Sequence, residues 1–229
     1  MRRVLSAAAL LLFGLGSVAP SLGAPAVEIH KVSEARFSPD GGKPVFVLVM
    51  GNDARPGDTR SRGDALHLIG INPVSGRATI LNIPRDTWTN IPGSGVEKIN
   101  YAHYLGGPLL EAQAVSALVG VDIPIVLSTG FQGLSDMVDE LGGVNVDVPV
   151  AMNDKTSGAI FPAATVRMDG GAALAFSRNR SLAGGDFTRT QDQGILILAG
   201  LSKLRDSQPS AAHSSSGWLC WPPTPACTA

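Results

Sequence analysis

The sequence predicts an α/β domain in which a mixed central sheet is covered by helices on both faces. Three observations carry this reading. The run Pro44 to Met50 is apolar at every position and stops at Gly51; the β-rich runs Ala65 to Ile71 and Ala78 to Ile83 are joined by turn-forming residues; and helical and β patterns alternate from Leu109 to Val150. A continuously apolar run is what a strand buried on both faces requires. A hairpin followed by alternating helices and strands gives a sheet with both antiparallel and parallel neighbours.

Residues 1–27 come first. Arg2-Arg3 is followed by an uncharged stretch from Val4 to Ala19, the pattern of an export signal or membrane anchor. Ala24-Pro25-Ala26 offers a small-residue cleavage site, and both outcomes, a cleaved signal or a retained anchor, place the rest outside the cytoplasm. Residues 28–43 form a polar stretch containing Ser38-Pro39-Asp40-Gly41-Gly42 and read as a linker.

The domain proper is expected over residues 44–206. Asn72-Pro73-Val74-Ser75-Gly76-Arg77 supplies the hairpin turn between the second and third β runs. Leu109 to Val119 reads as a helix, with Leu110, Ala114, Ala117 and Leu118 on one face and Gly120 at the stop. Ile123 to Ser128 follows as a strand, Phe131 to Leu141 as a helix ended by Gly142-Gly143, and Val144 to Val150 as a strand. A helix containing Ala172 to Phe176 is expected to end near Ser177, and a last helix to span Thr190 to Arg205 with Ile195, Leu198 and Leu201 inward. Residues 207–229 change to a Ser/Pro-rich tail without periodicity, expected to be disordered.

A net charge of -1 argues against general nucleic-acid binding, which needs a sustained basic surface. The two cysteines, Cys220 and Cys227, both lie in the tail, so the core is built without a disulfide. The four histidines, His30, His67, His103 and His213, show no zinc spacing, and His67 sits inside an apolar strand as a packed residue would.

Charge is instead concentrated in five short segments. These are Gly51-Asn52-Asp53-Ala54-Arg55, Arg62-Gly63-Asp64, Ile83-Pro84-Arg85-Asp86, Ser177-Arg178-Asn179-Arg180 and Gly185-Asp186-Phe187-Thr188-Arg189. Cations and carboxylates set in flexible backbone point to a converging site for an anion and a divalent metal. Asp53 and Asp64 flank a loop between two strands and would share a sheet edge, where carboxylate oxygens suit Mg²⁺; turn capping is the competing reading for each. Arg85 is suited to bidentate grip on phosphate oxygens, with an ion pair to Asp86 or Glu97 as the alternative. Arg178 and Arg180 point the same way only where the chain is extended. Tyr101 and Tyr104, near Lys98 and Asn100, either rim a pocket or simply pack.

These segments, with Lys98-Ile99-Asn100, Val138-Asp139-Glu140-Leu141-Gly142-Gly143-Val144 and Ala173-Leu174-Ala175-Phe176, occur in the order found in the LytR-CpsA-Psr (LCP) proteins of Gram-positive cell walls, which the chain resembles from about Pro44 to Leu204. The resemblance implies an α-β-α fold with a long apolar pocket, facing outward from the cytoplasmic membrane. It implies a phosphotransferase that moves a glycopolymer (teichoic acid, capsule or arabinogalactan) from a polyprenyl-pyrophosphate carrier to peptidoglycan. It further implies that Asp53 and Asp64 hold Mg²⁺, with Mn²⁺ as an alternative, and that Arg62, Arg85, Arg178, Arg180, Arg189 and Gln193 bind the pyrophosphate. For the catalytic set of Arg85, Asp86 and Asp186, the sequence leaves open which Asp orients Arg85 or accepts the hydroxyl proton.

Two departures from the family pattern stand out. Asp192 occupies a position where a cation is expected, and the pattern gives way to the Ser/Pro tail after Leu204, so the domain is expected to be incomplete at its C-terminus. A binding protein for polyprenyl phosphates or wall polymer, without catalysis, is the rival function. Transcriptional attenuation fits poorly with an export signal and no basic DNA-reading helix.

Overall fold

A computed structural model describes residues 27–32, 43–52, 60–72, 74–75 and 77–207. The expected anchor over 1–26, most of the linker, Asp53 and the tail from residue 208 lie outside the described residues.

The centre is a five-stranded mixed sheet built from β1 (Val27–Lys31), β2 (Val45–Asn52), β3 (Gly63–Ile71), β4 (Ala78–Asn82) and β7 (Ile125–Thr129), in the order β1-β7-β2-β3-β4. β2 lies parallel to β7, and every other neighbour pair is antiparallel. As its uninterrupted apolar sequence requires, β2 is central and largely buried. β3 and β4 form the expected hairpin, whose turn is held by Asn72 Oδ1 accepting from the amides of Val74 and Ser75.

Two expectations are corrected. Val27–Lys31 is not spacer: it is an edge strand, β1, paired along its length with β7. The helix expected from Leu109 is present, resuming after a kink at which Gly106 and Gly107 leave helical geometry, Gly107 with a left-handed φ of 68°; a further helical segment from Asn100 precedes the kink, and the two are together α1 (Asn100–Val119). The strand expected from Ile123 starts at Ile125, after Pro124, which has no amide to give a ladder. A short hairpin of β5 (Trp88–Ile91) and β6 (Gly95–Lys98) between β4 and α1 was not anticipated from the sequence.

The remaining elements follow β7. They are α2 (Phe131–Glu140), β8 (Val144–Asp147), the small pair β9 (Met152–Asp154) and β10 (Ala159–Phe161), β11 (Thr165–Met168) paired with β8, α3 (Gly170–Arg178) and α4 (Asp186–Asp206). The Asp169 side chain caps α3 by accepting from the amide of Ala172. Among the described residues, no helix is long and apolar enough to cross a membrane.

Two cores hold these layers together. Leu48, Met50, Leu66, Leu68 and Val126 pack under α1 with Ile99, Ala112 and Val115. Val144, Val146, Met168, Phe176 and Leu196 form a second core between β8, β11, α3 and α4. Leu66 and Leu68 face α1, so the alternating His67 faces the opposite side, where α4 brings Gln193 beside it. The sheet is therefore sandwiched, as the sequence predicts.

Phe176 is fully buried and meets Phe161 edge-on, with ring centroids 6.2 Å apart. Replacing Phe176 with Ala should lower the unfolding free energy by about 3–5 kcal/mol, measured by urea denaturation.

Candidate functional site

All four strand ends that matter meet at one end of the sheet. β2 and β7 finish there, β3 starts there, and β4 runs out there into Pro84 and Arg85. At this end the register of β2 and β3 shifts between Gly51 and Asn52, so that Asn52 pairs with Gly63 and Asp64 is the extra residue. A bulge of this kind turns a side chain out of the ladder. The side chain it releases is Asp64, whose Oδ1 accepts a hydrogen bond from Arg85 Nη1.

Around Arg85 the charges converge. Asp186, in the first turn of α4, sits with Oδ1 3.6 Å from Arg85 Nε, 3.8 Å from Arg180 Nε and 2.7 Å from Arg189 Nη2. A carboxylate at a helix N-terminus is favoured by the helix dipole. The turn that delivers it uses Gly184 (φ 91°) and Gly185 (φ 53°), a left-handed pair that residues with a Cβ rarely adopt. Arg189 is 4% exposed and donates from Nη2 to the backbone carbonyl of Asp64, 3.1 Å away, tying α4 to β3.

Three guanidinium groups against two carboxylates leave this cluster net positive. Burial works against the charge of Arg85, yet the hydrogen bond and charge of Asp64, with Asp186 and Asp86 behind them, outweigh it and raise its pKa. For Arg189 burial prevails: despite the attraction of Asp186 and Asp64, it and the repulsion of Arg180 and Arg85 lower the pKa. A second, negative partner would relieve that repulsion. The buried Nε atoms of Arg85 and Arg189 make no hydrogen bond among the described residues, so both retain donor capacity.

The other predicted site residues are placed as follows. Asp86 pairs with Lys98 (3.3 Å); the partners of Arg85 are Asp64 and Asp186, so of the two aspartates left open for orienting Arg85 it is Asp186 that stands beside it, and the alternative ion pair with Asp86 or Glu97 is not formed. Arg178 is the last residue of α3, followed by extended backbone at Asn179. It lies 4.8 Å from the centroid of the Phe131 ring while Arg180 reaches Asp186, so the two arginines have separate partners. Arg62 lies over the Tyr101 ring at 5.9 Å. Gln193 donates to the carbonyl of Ser177 (3.0 Å), linking α4 to the end of α3. Asp53 falls outside the described residues, and among the described residues no three acidic, His or Cys side chains stand close enough to hold a metal.

The sequence reading missed what supports this cluster from below. α1 backs the segment 60–64 along its length: Arg60 lies over Tyr104 at 5.5 Å, His103 Nδ1 donates to the Ser61 carbonyl at 2.9 Å, and Tyr101 underlies Arg62. Glu111 is fully buried against Gly63, and neither carboxylate oxygen has a hydrogen-bond partner among the described residues. Burial, reinforced by the charge of Asp64, raises its pKa well above the ordinary range, so it is held protonated. No spacing signal marks a single Glu in an apolar helix face as important.

Any Cβ at Gly63 would lie 2.4 Å and 2.6 Å from the Glu111 oxygens. Gly63→Ala should therefore cost about 1–3 kcal/mol of stability, partly recovered by adding Glu111→Ala, as read from thermal unfolding of the single and double variants. Asp192 is 1% exposed, and burial raises its pKa to about 6 from 3.8. Its folded pKa is the higher one, so its contribution to stability is complete below pH 3.8 and is lost as the pH rises through about 6. Asp192→Asn should raise stability at pH 8 by about 1–3 kcal/mol and leave it little changed at pH 3.5, measured by denaturant unfolding at both.

Residues 23–214 match the LytR_cpsA_psr family. The polyisoprenyl-teichoic acid–peptidoglycan teichoic acid transferase TagU of Oceanobacillus iheyensis is 35% identical over 166 residues, which cover 69% of this chain and 51% of that protein. The solved structure of TagT bound to LI-WTA has a TM-score of 0.63 at 31% identity, covering 76% of this chain and 68% of that one. TagT with bound octaprenyl pyrophosphate lipid has a TM-score of 0.61 at 29% identity, covering 76% and 70%. The chain spans about half the length of the curated relatives it matches. With the arginine-rich sheet end and the α-β-α layers in agreement, the chain belongs to the LytR_cpsA_psr family.

Proposed function

We propose that this protein is a phosphotransferase that attaches a glycopolymer from a polyprenyl-pyrophosphate carrier to peptidoglycan, outside the cytoplasm and at the membrane. The observation that carries the reading is the gathering of Arg85, Arg180 and Arg189 around one carboxylate at the end of the sheet. Relatives named as teichoic acid transferases, and one solved with octaprenyl pyrophosphate lipid, supply the substrate class.

Phosphoryl transfer requires positioning of the reacting groups and neutralisation of charge on the transferred phosphate. Arg85, Arg180 and Arg189 hold the pyrophosphate oxygens, with Arg62 and Arg178 at the flanks. Asp186 keeps the three guanidiniums in register. A hydroxyl of the peptidoglycan glycan attacks the sugar-linked phosphorus, forming a new O–P bond as the bridging P–O bond to the carrier breaks, and polyprenyl phosphate leaves. Asp86, half-exposed and joined to Arg85 in sequence, takes the hydroxyl proton. Asp64, whose carboxylate supplies hard oxygen donors of the kind Mg²⁺ takes, would hold the metal, with Asp53, which lies outside the described residues, as the other carboxylate implied by the family resemblance. The metal, Mg²⁺ or Mn²⁺, would supply further neutralisation of the phosphate charge.

Phosphate release from a polyprenyl-pyrophosphate analogue by the full chain tests the reading. Turnover that depends on added Mg²⁺ and falls by at least about 100-fold in Arg85→Ala, the loss of ~2.7 kcal/mol expected for a transition-state contact, is the anticipated result. Absence of turnover from protein shown to be folded by circular dichroism would instead leave a lipid-phosphate binding protein.

A further inference from the structure

His67 is fully buried on the face of β3 that looks away from α1, and it takes no part in the reaction proposed above. It stands directly opposite Asn82 of β4, with its Nδ1 2.8 Å from the Asn82 side-chain oxygen. On its other side is Gln193 of α4, whose hydrogen bonding, like that of Asn82, works against the lowering of the His67 pKa by burial. Two buried polar atoms without a partner among the described residues, His67 Nε2 and Gln193 Oε1, belong to these neighbours. A neutral imidazole has one donor and one acceptor nitrogen. With the proton on Nε2, and the Asn82 amide turned by half a rotation to offer its N–H to Nδ1, each of the two atoms meets the other's need. The amide of Gln193 already donates to the carbonyl of Ser177 at 3.0 Å. Asn82, His67, Gln193 and Ser177 thus make one polar chain from β4 through β3 and α4 to the end of α3.

Every link in that chain is close in sequence to a residue of the arginine cluster. Asn82 is three residues before Arg85, and His67 is three after Asp64. Gln193 is one turn beyond Arg189 on the same side of α4, and Ser177 is three residues before Arg180. The approach of α4 to the sheet is tight here, because a Cβ at Gly194 would lie 2.5 Å and 2.7 Å from the polar atoms of the Asn82 amide. Ion pairs at Asp186 gather the guanidinium tips, whereas this chain fixes the backbones behind them. Satisfied buried networks rigidify what they join, and misplacing a reacting contact by about 1 Å costs on the order of 100-fold.

Resting on the transferase reading above, we infer that His67 is a positioning residue: by bridging the side-chain amides of Asn82 and Gln193 it sets where the end of α3, and so Arg180, stands relative to Arg85 and Arg189. It touches no substrate and acts through Gln193. The family resemblance implies Gln193 as a pyrophosphate ligand; in this chain its amide is committed to Ser177, which makes it a strut between helices. The ring of His67 keeps that strut against the sheet.

A double-variant cycle separates positioning from packing. The full chain, His67→Leu, Arg180→Ala and the combined variant are titrated with inorganic pyrophosphate by calorimetry, after urea unfolding has shown each to be folded. Loss of the ring should weaken binding about tenfold, ~1.4 kcal/mol, when Arg180 is present, and no more than about twofold when Arg180 is already gone. A ring that only fills space would cost the same factor in both backgrounds. That additive result sinks the inference, as does unchanged binding in His67→Leu or a failure of the unsubstituted chain to bind pyrophosphate. Should His67→Leu not fold, His67→Asn takes its place in the cycle, since it keeps a polar group for Asn82 and lacks the ring edge that reaches Gln193. The transferase reading fails separately, by absence of phosphate release from the polyprenyl-pyrophosphate analogue in a protein whose pyrophosphate cycle is non-additive.

Discussion

Asp186 is the charge on which the site depends. Guanidinium groups repel one another, and where they are largely withdrawn from water, as Arg85 and Arg189 are, that repulsion is less screened. Arg85, Arg180 and Arg189 come from three different parts of the chain, after β4, after α3 and inside α4, and they share Oδ1 of this one carboxylate. Without it, the positive charge gathered here would push the three elements apart. Asp64 performs the same service on the sheet side, its carboxylate held by Arg85 and its carbonyl by Arg189. Fold and function are coupled here, because the contacts that dock α4 on the sheet are those that aim the arginines.

The other half of the arrangement is α1. A bulge re-aims Asp64, and α1 backs the segment before it with two tyrosine rings and an imidazole, while the buried Glu111 packs against Gly63. Burial pushes the His103 pKa down, which keeps the ring neutral and its Nδ1 proton on the Ser61 carbonyl, against the opposing pull of that hydrogen bond. The kink at Gly106 and Gly107 gives one helix two faces of different use, the first turns serving the polar segment and the later ones the apolar core.

Much of this was legible in the sequence because it depends on local chemistry. The apolar run of β2, the β3–β4 hairpin and the end of α3 near Ser177 are set by burial and local geometry within a few residues. The charged segments were recognisable because each pairs charge with glycine, proline or serine; four of them meet through Asp64, Arg85, Arg180, Asp186 and Arg189, while Asp53 and Arg55 of the first lie outside the described residues. What remained hidden was long-range. β1 looks like polar linker because backbone pairing with β7, which its side chains do not announce, holds all five of its residues in the sheet. Glu111 is a single acidic residue whose meaning appears only once Gly63 is placed against it. Partner choice was only partly legible: Asp186 was one of two aspartates open to orienting Arg85, whereas its pairing with Asp64 depends on strand ends that meet only in the fold.

The pairing of β1 has a consequence for where the chain enters the domain. Val27 is opposite Thr129 of β7, and Thr129 is opposite Gly51 of β2, so the strand that opens the domain enters at the sheet end that carries the arginines. From β1 across to β3 is three strand spacings, roughly 14 Å. A chain segment leading into Val27 would therefore arrive at the same sheet end as Arg85, and the span between that entry and the arginines is set by hydrogen bonds in a strand far from them in sequence.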